Sequence, residues 1–260
     1  MKMETVHRKR RGEMIDMAGH APYTFRTMVT VPISRHEPVV LSHSVEAQVY
    51  GYFALAMGLT LVGTFLGVQF ASTLLTGGFL ILFVIAELAI VITSRWWVEQ
   101  SPLNVVLFGA FPLLTGVTIT PYILSVLAGY ANGGSILLNA FAATVCMAAA
   151  AAVFARTTRW NLAGLWKALF LAIIGLLFLG LLQLFIPSLQ GGMMELLVSG
   201  AGVVIFALFT AFDVQRIQTM GRHGANPFLL ALSLYLDIFN LFLYVLRFML
   251  AISGNRRSSW

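Results

Sequence analysis

Three acidic side chains interrupt long apolar runs in this 260-residue sequence: Glu87, Asp213 and Asp237. An ionisable group at membrane depth costs at least about 2.5–3.5 kcal/mol, so its presence points to protein-facing chemistry. The last apolar run contains Ser233, Asp237, Asn240, Tyr244 and Arg247 at steps of four, three, four and three. At about 100° per residue, these five share an arc of about 80° on a helix otherwise made mostly of Leu, Phe, Val and Ile. Packing alone accounts for Ser233 or Tyr244. It does not account for a carboxylate and a guanidinium on one stripe, which is expected to face an interior, hydrated path.

Asp213 sits near the end of the preceding apolar run, and a short turn, MGRHGAN, joins the two. The two helices must therefore be antiparallel. If the first ends near Met220 and the second starts at Pro227, Asp213 and Asp237 stand about 10 and 15 Å from the turn at about 1.5 Å per residue. The depths match closely enough for the two carboxyl groups to touch. Two such groups cannot both ionise readily, and they titrate as a pair. Histidine is the usual switch near neutral pH, but His7, His20, His36, His43 and His223 all lie outside the apolar runs. A proton sensor inside a membrane must here be a carboxylate. The third run shows a milder pattern, Thr115, Thr118, Tyr122 and Ser125, and also holds Pro112 and Pro121. It reads as interhelical packing or as a hydroxyl-lined wall with a proline hinge.

The elements that must position these groups follow from composition. The chain is 59% hydrophobic and only 10% charged, against about 25% charged for a soluble domain. Residues 1–49 hold seven of the 16 Lys/Arg and five of the ten Asp/Glu, leaving nine basic and five acidic residues from Tyr50 onward. That balance cannot keep a soluble surface wet. The expectation is an all-α, multi-pass integral membrane protein. Membrane helices need about 20 apolar residues, and seven candidates run roughly 50–72, 76–95, 103–128, 135–155, 162–186, 194–216 and 227–250. Residues 1–49 are read as a mobile cytoplasmic tail, solvated rather than membrane-bound, though its HRKRRG run has the charge to meet anionic lipid; residues 50–260 are read as the transmembrane domain.

Arg35, Arg95, Arg156, Arg159, Lys167, Arg216 and Arg222 fall at one set of loops, while the alternate loops around Gly77, Gly133 and Gly191 hold no Lys or Arg. The positive-inside rule then places the N-terminus in the cytoplasm. Seven crossings, the preferred count, would leave Arg256 and Arg257 outside, whereas a re-entrant last segment would keep them inside. The uncharged loops each contain a Gly-Gly pair, at spacings of 56 and 58 residues. Tight turns select glycine in any case, but the spacing also suits three helical hairpins around a lone last helix.

Several function classes drop out. The net charge of +6 is spread over a tail and loops, not clustered on a face, so nucleic acid is not an expected partner. The single cysteine, Cys146, excludes an intrachain disulfide framework and a multi-Cys metal site, and its apolar surroundings read as an inert buried thiol. A secretory signal is not expected, because the first apolar run begins only near Tyr50. After Lys9 the only lysine is Lys167, which leaves no deep retinal lysine. An intramembrane serine protease, a haem or a zinc centre would need a histidine within the spans. The chain is expected not to be an enzyme and to hold no cofactor.

The stretch ALSLYLDIFNLFLYVLRF at 231–248 resembles the last helix of the Bax-inhibitor family, also called the transmembrane Bax-inhibitor-motif family, in its bacterial type. FTAFDVQRI at 209–217 is similar to that family's sixth-helix motif, with its aspartate 24 residues before Asp237. TGVTITP at 115–121 and IAELAIVI at 85–92 resemble its third and second helices. The likeness covers about residues 50–250.

It implies a fold with six helices in a shell around a central seventh, and a pH-dependent calcium leak in bacterial members. Eukaryotic relatives lower luminal calcium in the endoplasmic reticulum and oppose cell death. The resemblance makes Asp213 and Asp237 the pH-sensing pair on the ion path, and places Glu87 and Arg247 in one buried polar network. Asn240, Ser233 and Tyr244 join that network on the strength of the stripe. The family latches its sixth-helix aspartate with an arginine whose position here is Val98. Arg95, about one turn earlier, and Arg216, one turn from Asp213, compete for that role.

The leading expectation is a pH-gated leak for calcium, a hard cation suited to carboxylate and hydroxyl oxygens. Calcium would visit Asp213 and Asp237 transiently, with protons and the lipid bilayer as the other partners. The alternatives are a proton-coupled carrier of a small solute, or a non-conducting regulator that partners a membrane protease or another membrane protein, or acts in cell death. A bacterial inner membrane suits the short loops better than an organelle.

Overall fold

A computed structural model describes residues 41–76, 78–186, 189, 192–221 and 224–253. Residues 1–40 of the expected tail 1–49, with HRKRRG and Arg35, and also Gly77, Gly191, Arg222, His223, Arg256 and Arg257, lie outside the described residues. The described chain is all-helical, and nine α-helices are formed among the described residues. Six are long and apolar enough to span a membrane: α1 (Leu41–Gln69), α5 (Leu103–Gly129), α6 (Gly133–Thr157), α7 (Trp166–Phe185, entered through a 3-10 turn, Leu162–Leu165), α8 (Gly192–Met220) and α9 (Pro227–Ser253). This is an integral, multi-pass membrane protein.

The expected span 76–95 is not one continuous helix. It is divided into α2 (Ala71–Thr76), α3 (Phe79–Ile92) and α4 (Ser94–Trp97). At 14 residues, α3 reaches about 21 Å, short of a hydrocarbon core of about 30 Å. Gly78 opens α3 at φ 67°, a left-handed conformation that excludes ordinary side chains. At the other end the Thr93 hydroxyl donates to the Ala89 carbonyl (2.6 Å) and the Trp97 indole N–H to the Ile90 carbonyl (2.9 Å). Local side-chain bonds of this kind compete with the helical ladder, and the helix breaks there. By contrast, α5 passes through Pro112 and Pro121 without interruption. The chain also enters its first helix at Leu41, nine residues before the span expected from Tyr50.

Close packing of small residues assembles the bundle, as expected where lipid gives helices no hydrophobic reason to associate. A Cβ at Gly63 of α1 would collide with the Leu113 carbonyl of α5, and one at Gly116 of α5 with the Thr60 carbonyl and the Thr64 amide of α1. The Thr120 hydroxyl adds a 3.3 Å bond across the same seam, to the Thr64 carbonyl. Residue numbers rise together along this seam, so α1 and α5 are parallel, and the chain between them returns through α2, α3 and α4. One end of the bundle gathers Glu46 with Arg156, Val45 with Gly221, and the Asn226 amide on the Val98 carbonyl (2.9 Å). Arg95, Arg156, Arg159, Lys167 and Arg216 thus belong to a single end.

The helix α9 packs on α1, α5, α6 and α8. Its most apolar window is 50% buried, but so is that of α8, whereas α7 has 11% and lies at the periphery. The interior is shared between α8 and α9 rather than held by the last helix alone.

Candidate functional site

Burial in α9 is set by its neighbours on both sides, not by the polar stripe. Leu234 and Leu241, off the stripe, are fully buried, and Ser233, Asn240, Tyr244 and Arg247 are half-buried. The stripe consequently divides between two polar groups, and a third is built on the opposite face of the helix.

The first group joins α8 to α9. Asp213 and Asp237 are 2% and 8% exposed, and their carboxyl groups are close enough to interact directly. Ser233 stands beside them, one turn before Asp237 on α9. The Arg216 guanidinium places Nη1 3.4 Å from Asp213 Oδ1 and 3.5 Å from the Ser233 hydroxyl. One oxygen of each acid, Asp213 Oδ2 and Asp237 Oδ2, is buried with no hydrogen-bond partner among the described residues. A buried acceptor left unpaired costs about 1–3 kcal/mol, and a proton or cation between the two carboxyls would relieve both. Among the described residues no three His, Cys, Asp or Glu side chains converge, so the pair offers an ion few ligands. Arg95 is exposed on α4 and makes no ion pair among the described residues. Val98, where the family's latch falls, is 3% exposed and packed in the core.

A second group lies across α9 from the first, because Tyr235 is two residues from Asp237 and about 160° away in rotation. Its hydroxyl stands 2.7 Å from that of Thr60 and also meets Thr115. Beside them the Thr118 hydroxyl donates to Glu87 Oε1 at 2.8 Å. The hydroxyl wall on α5 is thus built, and it serves Glu87 and Tyr235. Ser125 turns back to the Tyr122 carbonyl of its own helix (2.7 Å), as Asn240 does to the Leu236 carbonyl.

The third group stands about 15 Å along α9 from Asp237, ten residues at about 1.5 Å each. Arg247 grips both carboxylate oxygens of Glu195 (2.8 and 2.9 Å) and the Gln183 side-chain carbonyl (3.0 Å). Its guanidinium also lies 5.5 Å from the centre of the Tyr244 ring, a favourable cation–π placement. Arg247 and Glu87, expected in one network, are in different ones. Glu195 and Gln183 are the groups that the sequence reading passed over. Glu195 is one of only five acids after Tyr50 and falls at the very start of the expected span 194–216. The structure also corrects Cys146, which is exposed on α6 and not buried.

The family profile described as "Inhibitor of apoptosis-promoting Bax1" matches residues 42–255. An uncharacterized protein of Campylobacter jejuni is 34% identical over 202 residues, covering 76% of this chain and 84% of its own. The inner membrane protein YbhL of Escherichia coli K12 is 32% identical over 226 residues, covering 81% and 91%. An uncharacterized protein of Helicobacter pylori is 30% identical over 198 residues, covering 76% and 82%. With the profile spanning nearly all described residues and the aspartate pair set between its last two long helices, this chain belongs to the Bax-inhibitor family.

Proposed function

We propose that the protein is a pH-gated cation leak, with calcium as the principal substrate and the Asp213–Asp237 pair as gate and sensor. The observation that supports this most is the pair itself, two buried neighbouring carboxyl groups, each with an oxygen unpartnered among the described residues. At neutral pH an ionised Asp213 holds Arg216, which keeps a positive charge on the path. The guanidinium stays charged throughout, so the aspartate is the group that switches. Acidification protonates the pair, weakens the hold on Arg216 and opens the path; raising the pH closes it. In this reading the end that collects Arg95, Arg156, Arg159, Lys167 and Arg216 faces the cytoplasm, and the broken α2–α4 segment makes a seventh crossing. The relative YbhL is an inner membrane protein, and the same location is proposed here. No enzymatic step is part of this reading.

The test is calcium entry into dye-loaded liposomes containing the purified protein, between about pH 6 and 8. Entry down the calcium gradient with no solute co-transported supports the leak. Flux that appears only with a proton gradient and a small solute would favour the proton-coupled carrier, which the same pair of acids could serve.

A further inference from the structure

A groove of about 290 Å³ runs between α6 and α8, lined by Met147, Ala150, Ala151, Phe154, Ala207, Leu208 and Ala211. Four of these are alanines, whose methyl groups cannot fill the space between two helices. The lining contains no charged or polar side chain, and it opens to the side of the bundle. A void there forfeits dispersion contacts on one wall, and a flexible apolar chain from the bilayer would restore them.

The mouth of the groove has a fixed basic and aromatic rim. Gln215 of α8, one turn beyond Ala211, accepts from the Leu162 amide (2.7 Å) and donates to the Trp160 carbonyl (2.9 Å). Asn161 caps the turn by accepting from the Ala163 amide at 3.0 Å. Trp166 stacks on Phe212, with ring centres 6.2 Å apart. The segment Arg159–Lys167 is thereby held against α8 at the end of the groove. Trp160 and Trp166 are exposed, as tryptophans are at a headgroup boundary. Arg159 and Lys167 are exposed too, and among the described residues neither is in an ion pair. Their neighbour Arg156 is already engaged by Glu46.

We infer that this is a binding site for one anionic phospholipid: an acyl chain lies in the α6–α8 groove, and the phosphate headgroup is held by Arg159 and Lys167. The charge of the rim selects an anionic headgroup, and the alanine floor selects a chain over a bulky ring. The site is independent of whether the protein conducts ions.

The direct test uses the full-length wild-type protein in vesicles with phosphatidylglycerol whose acyl chain bears a photoactivatable group. Adducts are expected at Met147, Phe154 and Leu208 several-fold above those at Val153 and Leu171, which are also exposed on α6 and α7. Native mass spectrometry of the delipidated protein then separates the two halves of the site. Retention of phosphatidylglycerol should exceed that of phosphatidylcholine at least about fivefold. Arg159→Gln with Lys167→Gln should abolish that preference, and Ala150→Leu with Ala207→Leu should lower retention of both lipids. Uniform photolabelling would overturn the site without recourse to any variant. So would a groove-filled variant that keeps phosphatidylglycerol as well as the wild type, which would leave only general attraction of anionic lipid to a basic end.

Discussion

Arg216 meets Asp213 from one turn further along the same helix, with 3.4 Å between Nη1 and Oδ1; the arginine side chain is 26% exposed and the aspartate 3%. The partner of this buried acid therefore comes from α8 itself. Arg95, on α4 in the broken segment, stays exposed. In the proposed gate, Arg216→Ala raises calcium flux at neutral pH and changes little in acid, where the pair is already protonated. Arg95→Ala leaves both unchanged. If the two variants behave the other way round in the liposome assay, the hold on Asp213 crosses between helices and the intrahelical account is wrong.

The Arg247–Glu195–Gln183 group ties the ends of α7, α8 and α9 together. Its side chains are 27% and 19% exposed for the ion pair, so solvent screens it only in part. Loss of a charged hydrogen bond is worth about 1.5–3 kcal/mol. Arg247→Gln and Glu195→Gln are each expected to destabilise by about this amount in thermal unfolding in detergent, and the double variant by clearly less than the sum. Full additivity would mean the two side chains do not depend on each other.

Gly63 and Gly58 lie on the same helix in opposite circumstances. A Cβ at Gly63 meets the Leu113 carbonyl, and one at Gly58 meets nothing within 4 Å. Overpacking costs about 1–3 kcal/mol or more where backbone cannot give way. Gly63→Leu should sharply reduce folded yield and melting temperature, and Gly58→Leu should leave both near wild type. Equal losses would remove the α1–α5 seam from the account.

How much of this was legible in the sequence depends on what a periodicity reports. Helical steps placed Asp237 and Arg247 on one stripe, and the short turn set Asp213 and Asp237 at matching depth, because both follow from rise and rotation alone. A wheel does not say which helix lies opposite each residue. So the stripe reads as one network where the structure splits it between two groups, and a third forms on the opposite face around Tyr235, about 160° from Asp237. The break at Thr93 was hidden because threonine and tryptophan are ordinary in an apolar run, and only their bonds to Ala89 and Ile90 interrupt it. Cys146 looked buried because apolar neighbours in sequence mean a lipid-facing surface as readily as a core.

Accessibility checks the hydrated path. In a Cys146→Ser background, cysteines at Ser233 and Asn240, both half-buried, are expected to react with small water-soluble thiol reagents in membranes. Those at Leu234 and Leu241, which are fully buried, are expected to resist. Comparable labelling at all four positions would mean that water does not follow the stripe.

The central claim is that the two aspartates are the sensor, and the pH profile of calcium flux through Asp213→Asn with Asp237→Asn tests it most directly. Two amides occupy the same volume and cannot exchange a proton with bulk water near neutral pH. The wild type should conduct more as the pH falls from about 8 to about 6, in step with protonation of the pair. The double variant should show a flat profile across that range while remaining folded. A double variant that keeps the wild-type slope would contradict the account, since the sensing group would then lie elsewhere.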